Sequence, residues 1–428
     1  MQTEPICLND SQNYSVNCFP RIAASLSQYP EICVVSEKSF QFKFTGVVVI
    51  NDIPVIVFPK NYTLPSEYKD IIAEASTLIR VLLRYRNEPN HEIDENVFLF
   101  GDKRNNNARI TTAIKIMEDY KTYGYLRRDV EISSKSKKGR IDWAATVNKT
   151  IPTINHNKVI YNEPIIRCNM VDDENIVYRL HKYVVSQCIH MWGWLFGIRE
   201  VKDSNINLKL NDIKDALYLL KRELRNVYIQ REINVINMMI AYLSAQTGTD
   251  KKMCKEILGT QYFSFIWEAI CGYLFNNKYS MLKRLVPQPE WQSDIVDGRI
   301  SQRPDIFTTR EKHLYIIDAK YYNYKMNLPG WHDVVKQLFY RQTVMLNLTK
   351  QKGIKLLPKD TVVKNVFLFP GEENDLFKFI GRVFVNDIDE LGEVKAFAIN
   401  QRTAMETYAY RNNDIYRKEL IEELICKA

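Results

Sequence analysis

The sequence has no CxxC pair among its eight cysteines, at positions 7, 18, 33, 168, 188, 254, 271 and 426, and its six histidines are dispersed. That spacing argues against the common zinc motifs and suits buried, reduced thiols. No run of 18 apolar residues occurs, so no membrane span is expected. The opening MQTEPICLNDSQNY has neither a basic n-region nor an apolar h-region; no secretory leader is expected, and a cytoplasmic location follows. Neither GxxxxGK[ST] nor GxGxxG is present, so nucleotide hydrolysis is not expected of this chain. There is no internal repeat and no low-complexity segment.

What is present suits packed, multidomain organisation. The chain has 428 residues, 46% hydrophobic and 12% aromatic, too many for one ordinary core. Its net charge of +8 is compatible with a nucleic-acid partner.

The most informative stretch is RPDIFTTREKHLYIIDAKYY, residues 303–322. Two runs rich in β-branched and aromatic residues flank a charged connection, the pattern of a hairpin. With Arg310 to His313 as the loop, Thr309 pairs with Leu314 and Asp305 falls opposite Asp318. Opposed residues sit roughly 5 Å apart at Cβ, and like charges there destabilise a sheet. Lys320 shares the face of Asp318 because side chains alternate with a period of two. Two carboxylates and an ammonium thus converge, and a divalent cation would relieve the repulsion. Asp-x-Lys alone also suits a solvated strand edge; the preceding Pro304-Asp305 and the apolar run Leu314 to Ile317 favour a buried strand whose charged end reaches a cleft.

This pattern resembles the PD-(D/E)xK nuclease superfamily. The resemblance implies Asp305 and Asp318 as ligands of Mg²⁺, for which Mn²⁺ can substitute. It also implies the backbone carbonyl of Ala319 as a third ligand, and Lys320 as the residue that orients water or steadies developing charge. Upstream, FSFIWEAICGYLFNNKY places Phe263, Ile266, Trp267, Ile270, Leu274 and Phe275 at helical spacing. Glu268 is the one acid in that helix, either an exposed position or, as the superfamily implies, a further ligand or neighbour of the metal. Downstream, Gln337, Tyr340 and Arg341 share one face of a helix. The superfamily implies a DNA-facing Gln and Tyr there; a solvated polar face is the alternative.

The order of short motifs is similar to that of LlaJI-type restriction endonucleases, related to McrC nuclease subunits. They are QFKFTGVVVINDIPVIVFPKNY (41–62), KKGRIDWAATV (137–147), Trp267-Glu268, Pro304-Asp305, DAKYY (318–322) and Lys336-Gln337 with Tyr340. The resemblance implies double-stranded DNA as substrate. A separately encoded AAA+ McrB-like subunit is a further implied partner, and double-strand cutting by one site per chain suggests a homodimer.

Residues 39–60 read as a hairpin turning at Asn51-Asp52. Residues 66–86 read as a helix with Ser66 as N-cap, and 105–123 as another ended by Gly124. YGYLRRDVEI, the basic turn SSKSKKG and RIDWAATV then form a candidate hairpin, and with the helix before it the outline of a winged helix. Its tip carries Lys135, Lys137, Lys138 and Arg140, suited to phosphate contact or simply solvated. Helices are expected near 175–195, 209–246 and 250–276, then a strand–helix alternation: a helix over 331–348, strands near 364–369, 377–387 and 393–399, and a terminal helix from about 403.

The expected fold class is therefore α/β multidomain. An α+β N-terminal recognition region (1–165) with a winged-helix element precedes a helical connecting region (166–250). A PD-(D/E)xK-type mixed sheet flanked by helices (251–428) completes it. The expected function is a Mg²⁺-dependent restriction endonuclease. The alternatives are a repair or transposition nuclease with the same core, and a DNA-binding subunit of a McrBC-like complex whose nuclease fold is structural.

Overall fold

The computed structural model describes residues 4–428 except 52, 89–97, 101–108, 127–128, 135–139, 156–157, 172–174, 197, 199–209, 245–256, 292–297, 300–301, 351–356, 359 and 373–375. Its contacts form two compact units, residues 3–103 with 255–428, and residues 104–254. Among the described residues no helix is long and apolar enough to cross a membrane.

The first unit begins with β1 (Ile6–Asn9), β2 (Asn13–Ser15), helix α1 (Pro20–Leu26), β3 (Cys33–Val35) and β4 (Ser39–Phe42). The apolar run expected as a hairpin is one: β5 (Thr45–Ile50) and β6 (Ile53–Phe58) pair antiparallel, with Asn51 at φ 51° entering the turn. β4 instead joins β2 and β3 in a separate small sheet. Every residue of β5 and β6 is buried, as their near-continuous Val and Ile content requires. Helix α2 (Tyr68–Asn87) starts one residue later than the Ser66 cap implied, with Glu67 as N-cap. β7 (Phe98–Phe100) follows.

The second unit holds α3 (Arg109–Tyr123), β8 (Asp129–Ser134), β9 (Arg140–Ile141), α4 (Trp143–Lys149), β10 (Thr153–Asn155), β11 (Lys158–Ile160), β12 (Ile166–Val171), α5 (Ile176–Trp192), α6 (Leu210–Glu223) and α7 (Gln230–Ser244). Gly124, at φ 72°, ends α3 as expected, its amide donating to the Tyr120 carbonyl. The Arg231 guanidinium pairs with Asp119 at 2.9 Å and donates to the Gly124 carbonyl, tying α7 to the end of α3. The candidate hairpin of 123–147 takes another form. β8 and β9 each pair antiparallel with β12, which lies between them, and most of RIDWAATV is helical. Asp142 explains this: its carboxylate accepts from the Ala145 amide and caps α4. Lys135, Lys137 and Lys138 lie outside the described residues; Arg140 is exposed on β9. The expected 209–246 helix is two, α6 and α7, parted by a 3-10 turn at 224–226.

The chain then returns to the first unit. Where one helix over 250–276 was expected, β13 (Ile257–Thr260) precedes α8 (Phe263–Leu274). β13 lies between β5 and β7, antiparallel to both, completing a sheet of order β1-β6-β5-β13-β7. The sequence division differs here, because it assigned 1–165 and 251–428 to separate domains. After α9 (Tyr279–Leu282) and the short pair β14 (Glu290–Trp291) and β15 (Gly298–Arg299) comes the second main sheet. Its strands are β16 (Ile306–Arg310), β17 (His313–Ala319), β18 (Val362–Gly371), β19 (Lys378–Phe384) and β20 (Glu393–Asn400), in the order β16-β17-β18-β20-β19. β17, β18 and β20 are parallel; β16 and β19 run antiparallel at the edges. Helix α10 (Trp331–Lys350) packs Tyr340, Val344 and Leu348 against Leu314 and Ile316 of β17. The terminal helix is two, α11 (Gln401–Tyr410) and α12 (Asp414–Lys427), separated by Arg411 at φ 55°. The six apolar positions expected to face inward from residues 263–275 are all buried.

The joint between the chain's two ends depends on two glycines. Gly46 and Gly259 are partners across β5 and β13. A Cβ on Gly259 would stand 2.3 Å from both the Thr45 carbonyl oxygen and the Phe44 ring. Gly259→Ala is therefore expected to destabilise the protein by about 2–3 kcal/mol, as overpacking of a close backbone approach does. Chemical denaturation measures this; an unchanged midpoint would refute the close approach.

Candidate active site

The hairpin register brings the two aspartates together as the sequence implied. Ile306 pairs with Ile317 and Thr309 with Leu314, so Asp305 is the next position opposite Asp318. The turn itself is tighter than expected, two residues with Glu311 at φ 50° between the paired Arg310 and His313. Asp305 lies just outside the ladder and is fixed from both sides. Its Oδ2 accepts from the Ala319 amide at 3.0 Å. Its carbonyl accepts from Asn277 Nδ2 at 2.8 Å, while Asn277 Oδ1 accepts from the Phe307 amide at 3.0 Å. The Asn277 side chain thus bonds the β16 backbone beside the Lys278 amide, which donates to the Phe307 carbonyl at 2.7 Å.

Asp318 is carried inward by the apolar run before it and is only 1% exposed. A buried carboxylate demands counter-charge, and two ammonium groups supply it. Lys320 Nζ stands 2.6 Å from Asp318 Oδ2 and 2.6 Å from Asp333 Oδ1. Lys336 Nζ stands 3.2 Å from Asp318 Oδ1. Asp333 and Lys336 belong to α10; from the sequence Lys336 was named only as part of a motif, with no role, and Asp333 was not named. The signal was there: with Gln337 and Tyr340 they recur at i, i+3, i+4 and i+7, one helix face.

Burial, then the charges of Asp318 and Glu268, push the Asp305 carboxyl up to about 8. Burial and the nearby Asp318 also raise Glu268, half-buried on α8. For Lys320 burial works the other way, yet Asp318 and Asp333 hold its ammonium above the usual lysine range.

Of the other expected residues only Tyr340 borders this cluster, its ring centre 5.7 Å from the Lys336 ammonium. Gln337 is buried, with no hydrogen bond to either side-chain polar atom, and Tyr340 packs in the apolar cluster under α10. Arg341 donates to the carbonyls of Val363, Glu390 and Leu391. Gln337 and Tyr340 are therefore turned inward, and the Arg341 guanidinium is taken up by backbone carbonyls. The reason is that α10 covers the sheet with the same face that carries its apolar residues.

Among the described residues no three or more His, Cys, Asp or Glu side chains converge closely enough to hold a metal ion together. The charge of Glu268 is nonetheless felt at Asp305. The remaining donor set still fits a hard cation. Asp318 is buried with its Oδ2 facing Lys320 and its Oδ1 facing Lys336, and the raised Asp305 and Glu268 mark negative charge that these two ammonium groups leave unneutralised. Mg²⁺ uses one or two carboxylates and keeps several waters.

A raised carboxyl pKa means that folding favours the protonated form. Its contribution is complete below the ordinary carboxylate range and is lost as pH rises toward the raised value. Asp305→Asn is thus expected to raise the melting temperature in EDTA, by an increment that grows from pH 5 to pH 8. Thermal melts across that range check it; a constant increment would contradict the assignment.

Comparison with known proteins agrees with the order of motifs. A family model described as LlaJI restriction endonuclease matches residues 44–402. The Type II restriction enzyme BsuMI component YdjA of Bacillus subtilis (strain 168) is 25% identical over 285 residues, 62% of this chain and 59% of that protein. The chain thus spans less than two thirds of this relative's length. Two solved structures resemble the chain loosely. One is a half-complex from the tetradecameric assembly of Thermococcus gammatolerans McrB AAA+ hexamers with bound McrC, at 11% identity and a TM-score of 0.37 over 96% of this chain and 100% of that one. The other is the Thermococcus gammatolerans McrBC complex, at 12% identity and a TM-score of 0.23 over 56% and 80%. With the family match running from β5 into α11, the chain belongs to the LlaJI restriction endonuclease family.

Proposed function

We propose that the chain is a metal-dependent DNA endonuclease of a restriction system, hydrolysing phosphodiester bonds at or near a short recognition site. The observation that carries this is the meeting of Asp305, Asp318 and Lys320 at the end of β17, in a member of a restriction endonuclease family. Asp305, Asp318 and the Ala319 carbonyl are the groups that would hold Mg²⁺ or Mn²⁺. Such an ion, when bound, supplies Lewis-acid stabilisation of the phosphate and makes water a better nucleophile. Lys320, clasped between Asp318 and Asp333, keeps a fixed positive charge beside the carboxylates, where it orients a water and offsets charge developing on the phosphate. Asn277 and the Ala319 amide hold Asp305 in register for this work.

Contact with DNA is assigned to Lys135, Lys137, Lys138 and Arg140, and the net charge of +8 supports such contact. Cutting both strands then takes two copies of the chain or two successive nicks. The Bacillus relative is named as a component, which supports separately encoded partners; the lack of a phosphate-binding loop means that any nucleotide-driven step would belong to an AAA+ partner of that kind.

Plasmid DNA should be cut with Mg²⁺ and spared with EDTA. Asp318→Ala should abolish cutting while leaving DNA binding within a few-fold, and Lys320→Ala should cost orders of magnitude in rate. Wild-type cutting by either variant would sink the assignment. Discrete fragments support a restriction enzyme, whereas cutting that follows DNA structure rather than sequence points to a repair nuclease.

The basic segment generates a separate expectation. Neutralising Lys135, Lys137 and Lys138 together should shallow the log–log salt dependence of DNA binding, by up to about 0.9 per lysine. A slope equal to that of the unmodified chain would remove these residues from the interface.

A further inference from the structure

The two lysines on Asp318 are held differently. Lys320 lies between two carboxylates at 2.6 Å each, with its side chain 14% exposed. Lys336 has one carboxylate partner at the longer 3.2 Å, and its side chain is 33% exposed. Its ammonium also lies 5.7 Å from the centre of the Tyr340 ring, a second favourable resting place. Lys320 is thus clasped, and Lys336 is tethered on one side only.

We propose that Lys336 is a built-in counterion that occupies Asp318 in the metal-free protein and gives way when a divalent cation binds. The inference rests on the metal site proposed above. Asp318 is buried, and a buried carboxylate without counter-charge is costly. Lys336 therefore neutralises the carboxylate and holds its Oδ1 in place until a metal arrives. Entry of a cation at Asp318 reverses the sign of the interaction, since an ammonium about 3 Å from the carboxylate would then face a like charge. Lys320 keeps Asp333 as a partner and stays. Lys336 swings outward by rotating its side chain, toward the solvent side from which a DNA phosphate would approach. One residue then stabilises the empty site, competes with the metal and adds positive charge where the substrate docks.

This makes metal affinity and catalysis respond in opposite senses. Lys336→Gln should bind Mn²⁺ about tenfold more tightly, equivalent to 1.4 kcal/mol, as read by isothermal titration calorimetry without DNA. The same variant should melt at a lower temperature in EDTA and cut DNA more slowly. Lys336→Arg should restore near-normal Mn²⁺ affinity. A merely structural role would weaken folding, metal binding and cutting together. The wild-type chain allows a second measurement should Lys336→Gln prove too unstable to purify. Acetylation read by mass spectrometry should increase at Lys336 when Ca²⁺ is added, while Lys320 stays protected. Unchanged or weaker Mn²⁺ binding by Lys336→Gln, or acetylation of Lys336 indifferent to Ca²⁺, would overturn the proposal. If Asp318→Asn abolishes Mn²⁺ binding in the same titrations, the metal site survives that failure. If the wild-type chain binds no Mn²⁺ at millimolar concentration, the metal site and the counterion fall together.

Discussion

The burial of the Asp318 carboxylate is the constraint around which the C-terminal half of the first unit is arranged. Leu314 to Ile317 commit β17 to the interior on both faces, and the strand's next residue is an acid. An isolated charge there would cost several kcal/mol. Helix α10 answers it with two cationic contacts, one direct through Lys336 and one braced by Asp333 on Lys320. The same helix supplies Tyr340, Val344 and Leu348 to the core beneath it. Its rotation about its own axis is thus set twice, once by apolar contacts and once by charge.

A second constraint comes from the far end of the chain. The Lys60 amide donates to the Tyr321 hydroxyl at 2.8 Å, and Asn323 Nδ2 donates to Asn61 Oδ1 at 3.1 Å. Phe263 of α8 packs against Tyr321, their ring centres 5.3 Å apart. The segment after β6 therefore braces the residues next to Lys320. Asn9 supports that segment in turn, its side-chain amide donating to the carbonyls of Pro59 and Tyr62. Elements separated by some 260 residues share one rigid neighbourhood.

Much of the second sheet was legible in the sequence because its signals are local. The apolar run, the short charged turn and the two-residue alternation fix the β16–β17 register. That register alone places Asp305 against Asp318, whatever the exact length of the turn. The face of α10 was harder, because Gln337 and Arg341 are polar and read as exposed. Only the tertiary placement shows that backbone carbonyls of β18 and of the turn before β20 absorb Arg341. β13 was hidden for a different reason. ILGT is four residues long, and its partners β5 and β7 lie more than 150 positions away. Asp142 redirected RIDWAATV from strand to helix through a single capping bond, which a strand-like reading of Ile141 to Trp143 overlooks.

β7 and β13 are hydrogen-bonded neighbours, with Phe100 opposite Leu258. Residues 104–254 are therefore strung between two adjacent strand ends, like a long loop on a hairpin. Chain that leaves and re-enters a sheet at neighbouring positions can be lengthened, shortened or exchanged without shifting the register on either side. The carboxylates, their lysines and the Asn277 brace all lie outside that excursion. The topology thus separates a part that has to keep its geometry from a part that is free to diverge.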